Sequence, residues 1–141
     1  MRAETLVVAF ALFFVYASGA SPTIYVGDSG ELVSAVATLG IPHPSGYPLY
    51  VLLGKLWTLA IPIGSIAYRM SLFSALAAAL ACAGLYWVAR ASLGFERVPA
   101  LVAASLLAFA PSFWGEANVQ RVYTLNALFV IAAIGSALSW Q

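Results

Sequence analysis

Charge is the first scarcity. Six Lys/Arg and five Asp/Glu make up 8% of the 141 residues, where a soluble domain carries about a quarter. So few charged groups cannot clothe a water-facing surface, which excludes a freely soluble globular domain. The net charge of +1 leaves no basic patch to neutralise phosphates and so excludes nucleic acid as a partner. Cysteine is nearly absent too. Cys82 stands alone within an apolar run, so it forms no intrachain disulfide and reads as a small core residue. No internal repeat or low-complexity tract is visible.

Apolar residues are what the chain has in abundance, 63% of the total, with a mean hydropathy of +0.97. The composition predicts an all-α integral membrane protein. Leu6 to Ala20 is an unbroken apolar run that extends through Thr23 toward Val26. If the extension is helical, it crosses the roughly 30 Å hydrocarbon core. A cleaved signal peptide competes, with Ser18-Gly19-Ala20 as its small-residue site, but Glu4 offsets Arg2 and further apolar runs follow. Those runs are Met70 to Ala89, Val98 to Trp114 (interrupted late by Pro111) and Val122 to Trp140. About four transmembrane helices result, in one transmembrane domain over 1–141. The close of the chain at a helix end fits either a small membrane protein or the N-terminal piece of a larger one.

Between the first two runs lies a polar, turn-rich block, Gly27 to Tyr50. It holds two of the five acids, the only histidine, three of the seven prolines and four of the eleven glycines. Ser29 to Leu39 has helical periodicity, with Leu32, Val36 and Leu39 on one face and Glu31, Ser34 and Thr38 on another. It is too short to span and suits the membrane surface. Gly40 can end it, and Pro42 and Pro44 keep it from resuming. Leu49 to Ile61 is apolar but too short for a full span, so it reads as an interfacial or re-entrant helix. Residues 27–62 thus form a first loop carrying one or two surface helices.

Four spans place Arg2, Arg90 and Arg97 on one side and Lys55, Arg69 and Arg121 on the other, a tie under the positive-inside rule. The same topology gathers Asp28, Glu31, His43 and Arg69 on one face with Glu116 and Arg121. Each of these residues has a plain structural reading beside a functional one. Asp28 at N-cap and Glu31 at N3 make a capping-box-like start that also favours the helix dipole; alternatively, Asp28 is a general base or a metal ligand. A lone histidine with two acids is a weak metal signature, yet the flanking prolines stiffen the backbone and aim the His43 ring. Tyr47 and Tyr50 are interface aromatics. Arg121, beside Glu116 and Tyr123, is an interfacial anchor or a bidentate phosphate ligand. Lys55 and Arg69 either assist it or snorkel to headgroups.

The blocks Asp28 to Glu31 (DSGE) and Leu39 to Tyr50 (LGIPHPSGYPLY) resemble the signature of glycosyltransferase family 117 (domain of unknown function 2723). These are the transmembrane protein 260-like protein O-mannosyltransferases within the GT-C membrane glycosyltransferases. Arg69 to Ala75 (RMSLFSA) and Glu116 to Tyr123 look like looser landmarks of the wider GT-C group. The resemblance implies a GT-C-like N-terminal part whose first extracytoplasmic loop carries the catalytic acid, matched here by Asp28 with Glu31 beside it. It implies an inverting transfer of a sugar, mannose for this branch, from a polyprenyl-phosphate donor to a hydroxyl on a protein or lipid acceptor. A divalent metal is compatible with that chemistry, with Asp28 as its ligand. Substrate contacts would come from His43, Tyr47, Arg69, Glu116, Arg121 and Tyr123. Arg2, Arg90 and Arg97 would face the cytoplasm. The active face would be extracytoplasmic or lumenal, in a bacterial inner membrane or the endoplasmic reticulum membrane with its lipids around the helices. From the residues alone, a transporter or channel fragment with a re-entrant polar loop is the alternative, and a small assembly subunit is a third reading.

Overall fold

The computed structural model describes residues 1–140, which are helical with no strand among them. Seven helices follow in order: α1 (Arg2–Ser18), α2 (Ser29–Thr38), α3 (Pro48–Ala60), α4 (Ile66–Ala91), α5 (Arg97–Ala108), α6 (Pro111–Ala117) and α7 (Tyr123–Ser139). The axis is α4, against which α1, α7 and α5 pack along its length, while α2 and α3 cover its first turns. It starts cleanly because the Ser65 hydroxyl accepts the Tyr68 N–H at 3.1 Å, satisfying a donor that the helix itself leaves open.

The alanine-rich middle of α4 explains why it is central. Ala75, Ala77 to Ala79 and Ala81 to Ala83, with Cys82 among them, are buried, and small side chains let neighbouring backbones approach closely. Cys82 is the core residue expected, 3.8 Å from the Tyr16 hydroxyl. On α7, a Cβ added at Gly135 would lie 2.9 Å from Val88 Cγ2, so the α4–α7 contact requires the missing side chain.

Among the described residues, α4 alone is one helix long and apolar enough to cross a membrane. The expected third span, with its interruption at Pro111, is a bent pair: α5 and α6 together pass the same test but meet at 68°. Pro111 sets the break. It forbids helical geometry at the residue before it, and Ala110 is accordingly extended at φ −61°, ψ 127°. The helical extension of the first run toward Val26 is corrected as well, since α1 stops at Ser18. Both α1 and α7 have 17 residues, about 25 Å at 1.5 Å per residue. Their outer faces (Leu6, Val7, Phe10 and Phe14 on α1; Phe129, Val130 and Ile134 on α7) are apolar and exposed.

Charges sort to the two ends of this bundle. At one end Arg97 pairs with Glu4 at 2.8 Å, Tyr86 donates to Glu4 at 3.0 Å, and Arg90 caps Phe95 O at 2.7 Å. At the other end, α2 and α3 form a small layer on α4. The inward face of α2 is Leu32, Val33 and Val36, packed with Tyr50, Met70 and Phe73. In a water-facing layer each such side chain contributes roughly 1.5–3 kcal/mol on burial. Glu31, Ser34 and Thr38 are exposed, as the periodicity predicts. Leu39 is a correction: it is 54% exposed and itself takes the left-handed stop at φ 56°, the role expected of Gly40.

Candidate active site

Two polar clusters stand at the α2–α3 end, and one buried glutamine holds the chain segments that build the first of them. Gln120 is fully buried in the loop between α6 and α7. Its Nε2 donates toward Thr23 O at 3.1 Å, Ala67 O at 3.1 Å and Ser71 Oγ at 2.6 Å, while its Oε1 accepts the Tyr25 N–H at 3.1 Å. The stretch after α1 is thereby fastened to α4 although it has no helix of its own. Ser71 Oγ adds a bond to Ser21 O at 2.9 Å, and Ser29 Oγ reaches Gln120 O at 3.2 Å. A polar residue in a polar stretch is easily taken for a surface one, which is why the sequence gives no sign of this role.

The first cluster follows directly in both segments. Arg121 Nη1 donates to Asp28 Oδ2 at 3.3 Å and Nη2 to Val26 O at 2.9 Å. Gly27 lies between those two partners at φ +76°, and a Cβ there would stand 2.7 Å from Arg121 Nη2. The chain needs glycine at this turn for both reasons. The capping-box expectation is corrected. Asp28 sits in right-handed helical geometry (φ −71°, ψ −7°) and its side chain makes no cap bond, because the carboxylate is turned to the guanidinium. The Asp28 side chain is 48% exposed and that of Arg121 17%. Such half-solvated pairs contribute about 0–1 kcal/mol, whereas Arg121 Nε is buried without a partner, a loss of about 1–3 kcal/mol. Stability alone does not account for the arrangement.

Gly27→Ala is therefore expected to lower stability by about 1–2 kcal/mol, the left-handed strain of a residue bearing Cβ, and to push the guanidinium off Asp28. Thermal unfolding in detergent, with the transfer assay described below, reads both effects; an unshifted midpoint would show that the turn accepts a side chain.

The second cluster joins α2 to the proline-rich loop. Glu31 Oε1 accepts the His43 backbone N–H, and Oε2 pairs with His43 Nδ1 at 2.8 Å. Tyr47 Oη lies 3.3 Å from His43 Nε2. The Glu31 carboxyl is held below its usual range, first by the His43 ring bond and then by the His43 backbone N–H, with slight desolvation opposing. A lowered carboxyl pKa stabilises the contact above the ordinary Glu range, and that stability is lost as pH falls through the folded-state value.

The remaining predicted residues divide. Tyr123 is exposed at the start of α7 and, with Tyr47, Tyr50, Asn126 and Phe129, lines a cleft of about 450 Å³ between α3 and α7. Within that wall the Tyr50 hydroxyl is buried and unpartnered. Arg69 does not join the site: its guanidinium binds Thr58 O, Ile63 O and Gly64 O at 3.0, 3.2 and 2.9 Å, closing the α3–α4 turn. Lys55 is likewise engaged, at 2.7 Å from Ala37 O. Glu116, on α6, has one buried oxygen without a partner. Among the described residues, no three His, Cys, Asp or Glu side chains stand close enough to hold a metal ion; Asp28 offers one carboxylate, already paired.

Residues 28–141 match the family model described as the protein O-mannosyl-transferase TMEM260 N-terminal domain. The chain is 38% identical over 104 residues to the mouse protein O-mannosyl-transferase TMEM260, covering 74% of this chain and 15% of that protein. It is 29% identical over 123 residues to the Dictyostelium discoideum protein O-mannosyl-transferase tmem260, covering 82% of this chain and 14% of that protein. No solved structure matches. The chain thus spans about a seventh of the length of each of these relatives. With the family match running from Asp28 through both polar clusters, the chain belongs to the TMEM260 N-terminal domain family.

Proposed function

We propose that this chain is the N-terminal, catalytic-loop part of a multi-pass membrane glycosyltransferase. It moves mannose from a polyprenyl-phosphate donor to a hydroxyl of a protein acceptor, with inversion at the anomeric carbon. The observation that carries this reading is the Asp28–Arg121 pair, an acid and a guanidinium brought together from positions 93 residues apart. Inverting transfer from a lipid phosphate needs those two groups: one facing the acceptor hydroxyl, one facing the departing phosphate. Asp28 receives the acceptor's O–H, as its base or as the charge that orients it. Arg121 meets the negative charge that gathers on the leaving phosphate. On donor binding the phosphodiester competes for the guanidinium, which frees Asp28 for the acceptor.

In this reading α1, α4, the bent α5–α6 pair and α7 are the four crossings, and residues 27–62 are the first extracytoplasmic or lumenal loop. The exposed apolar faces of α1 and α7 support a lipid surround. The half-exposed Asp28 at a helix start fits an aqueous-rim site better than a transport site, which lies near the bilayer midplane.

The test uses the full-length parent enzyme in lipid nanodiscs with a Ser/Thr acceptor peptide. Mannose is supplied either on polyprenyl phosphate or on a nucleotide. Transfer from the lipid-linked donor, giving a product of opposite anomeric configuration, is the expected result. Transfer only from the nucleotide sugar, or retention of configuration, would overturn the assignment.

A further inference from the structure

Glu31 commits both carboxylate oxygens to one residue. The backbone bond fixes the 40–47 loop on α2, and the ring bond fixes the imidazole. A nitrogen bonded to a carboxylate carries the hydrogen, so in the neutral ring Nδ1 is the donor and Nε2 keeps its lone pair. That lone pair faces the Tyr47 hydroxyl at 3.3 Å. Pro42 and Pro44 stiffen the backbone on either side, and the His43 side chain remains 39% exposed. A base nitrogen, oriented by a carboxylate and already opposite an O–H group, has the geometry of a general base with its orienting partner.

Asp28 is placed differently. At the N-cap of α2, three residues before Glu31, its carboxylate pairs with Arg121 at 3.3 Å. Residues three apart on a helix have Cβ atoms roughly 5–6 Å from each other, so the two clusters start from neighbouring positions at the beginning of α2. The titratable groups facing His43 are Glu31 from α2 and Tyr47 from its own loop. On α3, Lys55 is turned to Ala37 O.

We propose that His43 Nε2 takes the proton of the acceptor hydroxyl, that Glu31 is its positioning residue, and that the Tyr47 hydroxyl marks where the acceptor's O–H sits. The inference rests on the glycosyl-transfer reading above. The acceptor's O–H proton passes to Nε2 while an oxygen lone pair forms the new bond to the anomeric carbon. The bond from that carbon to the donor phosphate oxygen breaks, and its electrons leave on the phosphate beside Arg121. The imidazolium, held against Glu31, returns its proton to water. Asp28 then aligns the hydroxyl and faces the positive charge developing on the sugar.

The experiment is the pH dependence of kcat and KM for the full-length enzyme with polyprenyl-phosphate mannose and a Ser/Thr peptide, comparing wild type, His43→Gln, Glu31→Gln and Asp28→Asn. His43→Gln is expected to abolish the acid limb of the profile and to lower kcat by about 100-fold, the usual share of a general base. Glu31→Gln keeps a carbonyl for the His43 N–H but not the carboxylate behind the ring. It is expected to shift the limb to lower pH with donor KM unchanged. Asp28→Asn is expected to lower kcat and leave the limb in place. The proposal falls if His43→Gln keeps the limb and the wild-type kcat, or if the limb disappears in Asp28→Asn and is unmoved in Glu31→Gln. A thermal midpoint for each variant separates a lost base from a lost fold, and Glu31→Gln decides should His43→Gln unfold. Absence of lipid-dependent transfer by the wild type would remove the underlying reading itself, a result distinct from an unmoved limb.

Discussion

Asp28→Asn in the full-length enzyme is expected to lower kcat/KM for mannosyl transfer by about 100- to 1,000-fold, within the range for losing an acid–base or charge-orienting group. Its effect on stability is expected to stay below about 1 kcal/mol, because a half-exposed ion pair contributes no more than that. The separation between the two effects follows from the structure. The Asp28 side chain caps no N–H of α2, so the helix loses no cap bond when the charge goes. Asparagine has the same shape and keeps an oxygen for Arg121 Nη1, which leaves the turn at Gly27 intact. What disappears is a negative charge next to the guanidinium proposed to receive the phosphate. Steady-state transfer and thermal unfolding of the same preparation check both halves. A well-folded variant with wild-type transfer would take Asp28 out of the chemistry.

How far the residues foretold this arrangement depends on whether the physics was local. Helices α2, α3 and α4 were legible because each rests on its own pattern: period 3.6 in Leu32 and Val36, the short apolar run from Leu49 to Ile61, an alanine-rich run around Cys82. The sorting of charges to two ends was legible too, since the expected topology puts Arg90 with Arg97 and Asp28 with Arg121; the Glu4–Arg97 pair was not read from the sequence. Two features were not. The end of α1 at Ser18 depends on distant partners, because Ser21 O, Thr23 O and the Tyr25 N–H bond to Ser71 and Gln120 instead of continuing the helix. The orientation of Asp28 and Glu31 was missed for a related reason. A local capping box explains both carboxylates from spacing, but each found a charged or ring partner from outside the helix, Arg121 and His43. In the same way Arg69 looks available in sequence and is engaged by three carbonyls in the fold.

Gln120→Leu is expected to be the most damaging stability change, at about 3–5 kcal/mol. Leucine fills a similar volume, so the loss comes from the groups left behind. The Tyr25 N–H, Thr23 O, Ala67 O and Ser71 Oγ all bond to this one amide. A buried donor or acceptor stripped of its partner costs about 1–3 kcal/mol, and shared partners in one network make the penalties add or exceed the sum. Part of that cost will be relieved, as Thr23 O keeps the Ser21 hydroxyl, Ser71 keeps its bonds to Ser21 O and Ala67 O, and water reaches the Tyr25 N–H in the loosened loop. Reversible unfolding of the full-length enzyme in mixed micelles measures the total. Hydrogen exchange locates it: residues 20–28 are expected to lose protection while the centre of α4 keeps its own. Transfer activity should fall with that loop, since Asp28 is carried on it although Gln120 touches neither substrate. A loss below about 1 kcal/mol, on the scale of a single net hydrogen bond, would mean that the stretch after α1 is held by something other than this glutamine.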